Sequence, residues 1–270
     1  MLEQPVAGAP PWGVFHRRWV RLQPPLRPNR QVCDLVQRLT AGHSGRTLLL
    51  GVTPQLAVVS PRTIAVDRSS GSLTCIWPGN DATRCAVQGN WLDLPFPRAS
   101  FTGAIGDGSL NCLEFPHEYR RVLRELARVL RSGGRIVVRV YATPSRCESL
   151  AQVRERTLAG GVSNVDALKW RLAHALCTSR QDANLPVRAI WAAFNQAFPD
   201  RPALQRATGW TDDDLAHVDA YEMLPDVFSF PTLDQVSAVV AESAFTSHFA
   251  ETAGYELADR CPILVLDVTD

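Results

Sequence analysis

The chain has 270 residues, with 28 Lys plus Arg against 27 Asp plus Glu, seven cysteines and six histidines. That length buries about 70–75% of the unfolded surface, enough for one large domain or a domain carrying an insertion, and the second suits the pattern below. Balanced charge gives no pull toward nucleic acid or a membrane, the cysteines form no CxxC pair and the histidines no metal-holding spacing, and neither an apolar leader core nor a run of about 18 apolar residues is present. The expectation is a soluble cytoplasmic protein with reduced thiols and no metal. The Arg17-Arg18 and Arg120-Arg121 pairs read as solvated faces.

Residues 1–30 read as an N-terminal arm. The run Pro24-Pro25-Leu26-Arg27-Pro28 holds too many prolines for one helix, so a short helix over Phe15 to Val20 and a rigid extended loop are predicted. Val32, Leu35, Val36 and Leu39 recur at helical spacing and predict an amphipathic helix ending near Ala41-Gly42.

Thr47 to Asp67, TLLLGVTPQLAVVSPRTIAVD, then reads as a buried strand, a turn at Gly51, a short helical segment and a second buried strand (Ile64 to Val66) closed by a carboxylate. In a parallel α/β sheet, ligands bind where the carboxyl ends of strands meet such turns. A backbone approaching a ligand closely needs a residue without Cβ, which Gly51 supplies. Asp67 has the chemistry to accept two hydrogen bonds from a ribose diol. A plain turn at Gly51 and a helix N-cap at Asp67 would use the same residues.

A turn at Ser69 to Ser72 leads to a strand or distorted helix over Leu73 to Trp77, then strands at Arg84 to Gln88 and Phe101 to Gly106. Tyr119 to Leu130 is amphipathic and ends at the cap Ser132-Gly133-Gly134, before a buried strand over Arg135 to Tyr141. The βαβαβ alternation implies a parallel sheet with helices on both faces. From Ser145 to about Leu224 helical spacing takes over with nothing strand-like, and a Thr211–Asp214 pair marks one helix start. Such a segment beyond the carboxyl end of a strand predicts a lid over the ligand crevice. A helix at Leu233 to Glu242 and strands at Thr246 to Glu251 and Pro262 to Val268 complete the chain.

The blocks GNWLDLPFP, FTGAIGDGSLN, ELARVLRSGGRIVVRVY and CPILVLDV together resemble the class I S-adenosylmethionine-dependent methyltransferases, over residues 30–143 and 230–270. The resemblance implies a Rossmann-like, doubly wound, mostly parallel seven-stranded sheet with an antiparallel last strand and a helical insertion. It divides the chain into the arm (1–30), a cofactor domain (31–144 and 226–270) and an acceptor-binding insertion (145–225). It implies methyl transfer from S-adenosyl-L-methionine to a small-molecule or peptide acceptor. Carried over residue by residue, Gly51 packs against the methionine portion, with Pro54 opening the turn behind it. Asp67 holds the ribose hydroxyls, Arg68 lies beside the adenine, Asn90 accepts from the adenine amine, and the Trp91 N–H faces the ring. Asp107 and Gly108 lie under the methionine moiety, and Asn111 points toward the acceptor.

The chain departs from the family's G-x-G-x-G: only Gly51 of the three glycines remains in GVTPQL. S-adenosylmethionine lacks the pyrophosphate that makes the later glycines of a dinucleotide loop necessary, so the loss favours it over NAD. Arg27 is a candidate clamp for the cofactor carboxylate. His117, Tyr141 and His174 are open as acid–base groups or packing residues, Trp12 and Trp19 as a flap or arm packing, and Trp170 and the Trp191 to Phe198 stripe as helix core or acceptor pocket. Methyl transfer at a sulfonium needs alignment more than a dedicated base, so no catalytic residue is assigned. The rival reading is an inactive binding protein on the same fold, acting through a partner; an NAD-dependent oxidoreductase is the third. The acceptor atom and oligomeric state stay open.

Overall fold

The computed structural model describes residues 19–43 and 45–269. Most of the predicted Phe15 to Val20 helix, Trp12 and Arg17-Arg18 therefore lie outside the described residues; within them, Trp19–Arg21 is a single 3-10 turn. Helix α1 (Arg30–Thr40), capped by the Asn29 side chain on Val32 N–H, buries Val32 and Val36. Strand β1 (Thr47–Leu50) is buried throughout. β2 (Thr63–Asp67), α2 (Ser70–Cys75, capped by Ser69) and β3 (Arg84–Gln88) follow. Next come β4 (Phe101–Asp107), α3 (His117–Val129) and β5 (Leu130–Arg139).

Two local expectations give way here. The segment after Gly51 makes only a single turn, with Leu56 and Ala57 N–H on the Thr53 carbonyl; Val58, Val59 and Pro61 do not favour helix propagation. Helix α3 has no glycine cap. Its chain extends directly at Leu130, because Leu130 pairs with Phe101 and is buried; the pairing then jumps to Gly103↔Arg135, so residues 131–134 bulge out.

The sheet order is β3-β2-β1-β4-β5-β9-β8, where β8 is Phe245–Ala250 and β9 is Ile263–Val268. β3, β2, β1, β4 and β5 run parallel, and β9 inserts antiparallel between β5 and β8, as the closing CPILVLDV block implies. Side chains alternate between two cores. Leu48, Leu50, Ala104, Ile136, Val138, Leu264 and Leu266 pack on one face against Val122, Leu126 and Val129 of α3. Leu49, Ile105, Val137, Ile263 and Val265 pack on the other against α1 and against Val52, Leu56 and Ala57 of the loop after β1.

Between β5 and β8 the chain forms α4 (Leu150–Leu158), α5 (Val165–Arg180), α6 (Val187–Ala197), α7 (Arg201–Thr208), α8 (Asp212–Asp219) and, returning to the sheet, α9 (Leu233–Ala241). The Thr211–Asp214 capping box forms at the start of α8. One expectation fails: short strands do interrupt the helices. β6 (Asn184–Pro186) pairs antiparallel with β7 (Val227–Ser229). Three residues per strand are too few to set up a period-2 pattern. Helices α4 to α8 share a third apolar core centred on Leu168, Leu172, Phe194 and Tyr221, whereas α9 packs on the sheet core beside α3.

Candidate functional site

A cavity of about 510 Å³ opens at the carboxyl ends of β1, β2 and β4, under α5 and β7. That volume lies within the range of small-molecule sites. Its sheet side is built from strand ends. Gly51 holds φ +94°, a left-handed conformation that favours glycine, and its backbone lies beside Trp91 and the Asp67 carboxylate, which a Cβ would meet at ordinary contact distances of 3.8 and 3.9 Å. Asp67 accepts from Ser69 N–H at 2.8 Å through Oδ1, and burial raises its pKa above the usual carboxylate range. Trp91 is fixed by its indole N–H on the Val66 carbonyl at 2.7 Å, and Asn90 Oδ1 accepts from Leu92 N–H at 3.0 Å.

The floor lies at the ends of β4 and β5. Gly108 takes φ +64° with the Tyr141 ring against it, where a Cβ would collide. Arg139, fully buried, donates to Asp107, to the Pro25 carbonyl and to the Tyr255 hydroxyl. Burial works against the guanidinium charge, but Asp107 and the neighbouring tyrosines outweigh it and keep Arg139 charged. The same contacts pin the arm, whose Trp19 and Leu26 line the cavity. Ser109 Oγ donates to the Leu50 carbonyl at 2.7 Å and ties the β4 end to β1.

The lid side is aromatic. Trp170 of α5 stands edge-on to Tyr141 at 5.2 Å and to Phe228 of β7 at 5.9 Å, and all three line the cavity with Tyr221. Trp170 thus serves both readings, core and cavity wall, whereas Trp191 packs on the lid core. Below this wall Lys169 pairs with Asp166 at 2.7 Å, and the second Asp166 oxygen accepts from Gln23 N–H at 2.7 Å, a further arm-to-lid tie.

Gly51, Asp67, Arg68, Asn90, Trp91, Asp107 and Gly108 all line this one cavity. Pro54 and Arg27 are not on its lining. Pro54 sits in the turn after β1, its carbonyl accepting from Ala57 N–H, and Arg27 donates to the Val20 carbonyl at 2.6 Å and to the Gln55 amide oxygen at 2.8 Å, so the expected carboxylate clamp is not formed. Arg68 meets Asp226, the residue before β7, at 2.7 Å. Asn111 is also not aimed at an acceptor: its amide donates to the Tyr141 and Ser229 carbonyls and accepts from Tyr141 N–H. His174 is buried on Arg260, and burial with Arg260 and Arg171 pushes its pKa down to about 3, which suits a packing residue. Tyr141 also packs, its hydroxyl bonded to the Pro25 carbonyl. Sequence reasoning missed Arg139, Asp226, Tyr221 and Phe228. Only Arg139 carried a signal, a lone charge inside the otherwise uncharged run IVVRVY.

Among the described residues no cluster of His, Cys, Asp or Glu could hold a metal, and no helix is long and apolar enough to cross a membrane.

The methyltransferase-domain family profile matches residues 50–138. A demethylmenaquinone methyltransferase of Corynebacterium glutamicum is 31% identical over 128 residues, which cover 47% of this chain and 49% of that protein. The chain thus spans about half the length of the curated relatives it matches. Among solved structures, a SAM-dependent methyltransferase of Methanosarcina mazei superposes with TM-score 0.54 at 12% identity over 90% of this chain and 99% of its own. The 1,6-didemethyltoxoflavin-N1-methyltransferase of Burkholderia thailandensis, solved with its substrate and S-adenosylhomocysteine, gives 0.52 at 13% over 96% and 84%. Strand order, the inserted antiparallel strand and the matched segment agree: residues 50–138 are similar to the methyltransferase-domain family, and the chain has the fold of the class I S-adenosylmethionine-dependent methyltransferases.

Proposed function

We propose that this chain transfers the methyl group of S-adenosylmethionine to a small, largely apolar acceptor held between the sheet and the lid. The observation carrying the reading is one cavity with two unlike halves, Gly51, Asp67 and Trp91 on one side and Tyr141, Trp170 and Phe228 on the other. A nucleoside suits the first: Asp67 for the ribose diol, Asn90 and Trp91 for the adenine. A flat apolar molecule suits the second. Residues 31–144 and 226–270 would then hold the cofactor, 145–225 cover the acceptor, and the arm close the side, with Arg68 tying the rim to Asp226 just after the lid.

Charge supports the cofactor's identity. Of the charged residues on the lining, Asp107 is held by Arg139 and Arg68 by Asp226, which leaves the carboxyls of Asp67 and Glu118 and no uncompensated cation. Such a surface suits a sulfonium and an ammonium and opposes a pyrophosphate, which disfavours the nicotinamide alternative. When bound, the cofactor supplies a methyl group already activated on sulfur. The protein's part is to align the acceptor and exclude water; Asp107, held by Arg139, is no free base. Seven unpaired cysteines support a reducing, cytoplasmic setting.

Calorimetric titration with S-adenosylmethionine and S-adenosylhomocysteine tests this reading, with micromolar affinity for the product expected. A folded chain that binds neither supports the partner-binding alternative, and one that binds NAD instead supports an oxidoreductase. Trp170→Phe is expected to raise the acceptor KM while product affinity stays within about twofold, because Trp170 faces the other half of the cavity.

A further inference from the structure

We propose that the groove between α3 and α9 is a second ligand site and takes a phosphate group, carried by a soluble compound or by a lipid headgroup. The groove encloses about 460 Å³ and is walled by Arg98, Arg120, Arg124 and Arg128, with buried Leu123 and Val239 as an apolar floor and Glu242 as its one carboxylate. Arg98 and Arg128 shortly precede the first residues of β4 and β5, and Glu242 that of β8. It therefore lies toward the amino ends of these strands, whereas the first cavity opens at carboxyl ends.

Charge separates the two cavities. Arg68 on the first lining is paired, but the groove keeps two cations that are not. Arg120 forks onto Glu242 at 2.7 and 3.0 Å, and Arg128 is held by Glu125 at 2.6 Å and by the Phe96 and Leu94 carbonyls. Arg98 and Arg124 are exposed, and their side chains make no ion pair or hydrogen bond with any described residue. Arg120, Arg124 and Arg128 recur every four residues, which stacks three guanidiniums along one stripe of α3. Like charges at that spacing weaken a helix, and Arg124, between the other two, has no counter-charge of its own. The chain's formal net charge is only +1, so the concentration is local. Two paired guanidiniums flanking two available ones suit a multiply charged oxyanion, because each planar fork presents parallel N–H donors to phosphate oxygens. The apolar floor leaves room for the carbon part of the carrier.

Calorimetric titration with pyrophosphate at constant ionic strength, and co-sedimentation with phosphatidylcholine vesicles with and without phosphatidic acid, test the site and separate the two carriers. Submillimolar binding of pyrophosphate identifies a soluble phosphate compound, and binding to phosphatidic-acid vesicles alone identifies a headgroup. The double variant Arg98→Gln with Arg124→Gln should weaken that binding by about tenfold or more. Arg121→Gln removes an exposed arginine of the same helix that is off the lining, and should leave it within about twofold. Affinity of the double variant for S-adenosylhomocysteine should also stay within about twofold of the unmodified protein, since both arginines are exposed and remote from the first cavity. Absence of binding in both arms, or equal weakening by Arg121→Gln, overturns the proposal and leaves the cofactor reading intact.

Discussion

The Arg139 guanidinium meets the Asp107 carboxylate side-on, Nε to Oδ1 at 2.5 Å and Nη2 to Oδ2 at 3.0 Å, with both side chains out of solvent. This pair joins the ends of β5 and β4 beneath the cavity and, through Arg139 on the Pro25 carbonyl at 2.6 Å, fixes the arm that walls it. The geometry commits Asp107 to structure, since a carboxylate held by a buried guanidinium does not serve as a general base.

Removing one member of that pair leaves the other buried and uncompensated. Arg139→Ala is therefore expected to destabilise the fold by about 3–5 kcal/mol, and the double change Arg139→Met with Asp107→Leu by much less. Urea unfolding of the three proteins checks this; equal losses in the single and double variants would contradict it.

Asp67 tests the nucleoside side. Asp67→Ala should weaken S-adenosylhomocysteine by tenfold or more, since a charge-assisted bond contributes about 1.5–3 kcal/mol. Its pKa is raised by burial, so affinity should fall with acidification at a pH above that of an ordinary carboxylate. Taken alone, the raised value makes the folded chain hold this proton more tightly than the unfolded chain. The Asp67 contribution to stability is thus full below the unfolded value and is lost as pH rises through the folded one. Titrations at several pH values read the affinity, and melts on Asp67→Asn read the stability.

His174 works in the other direction. Its folded pKa, about 3, lies below its ordinary 6.5, so the unfolded chain binds the extra proton between those values. The stability this histidine contributes is complete above about 6.5 and is lost as pH falls toward 3. His174→Phe should flatten that acid slope, which melting temperatures from pH 7 down to 4 would register.

The Arg68–Asp226 pair joins the rim to the segment just after the lid, but Arg68 is 73% exposed. Asp226→Asn should therefore change global stability by no more than about 1 kcal/mol. Product release should quicken in this variant, and in the unmodified protein as salt is raised. Stopped-flow displacement of S-adenosylhomocysteine measures both, and an unchanged rate would deny the pair a closing role.

Most of the sheet was legible because a strand buried on both faces is a run of apolar residues between turns. LLL, IAV, AIG and ILVL each fall inside a strand of the structure. Asp67 and Gly51 could be placed at strand ends for the same reason. The bulge at residues 131–134 was not legible, because it follows from where Leu130 meets Phe101, a pairing 29 residues apart in sequence. The β6–β7 pairing was hidden because it joins residues 184–186 to 227–229 across three intervening helices, α6, α7 and α8.

By itself the sequence determined the α/β architecture and the positions of Gly51 and Asp67, because these depend on local apolar periodicity and on turns near each strand end; the antiparallel insertion of the last strand was implied only by the resemblance of its CPILVLDV block. Tertiary structure alone decided that Arg139 neutralises Asp107, that Arg27 faces away, that Arg68 reaches Asp226, and that Trp170 and Phe228 share one wall. Each of those relationships joins residues from separate elements, and only packing fixes where two distant side chains meet.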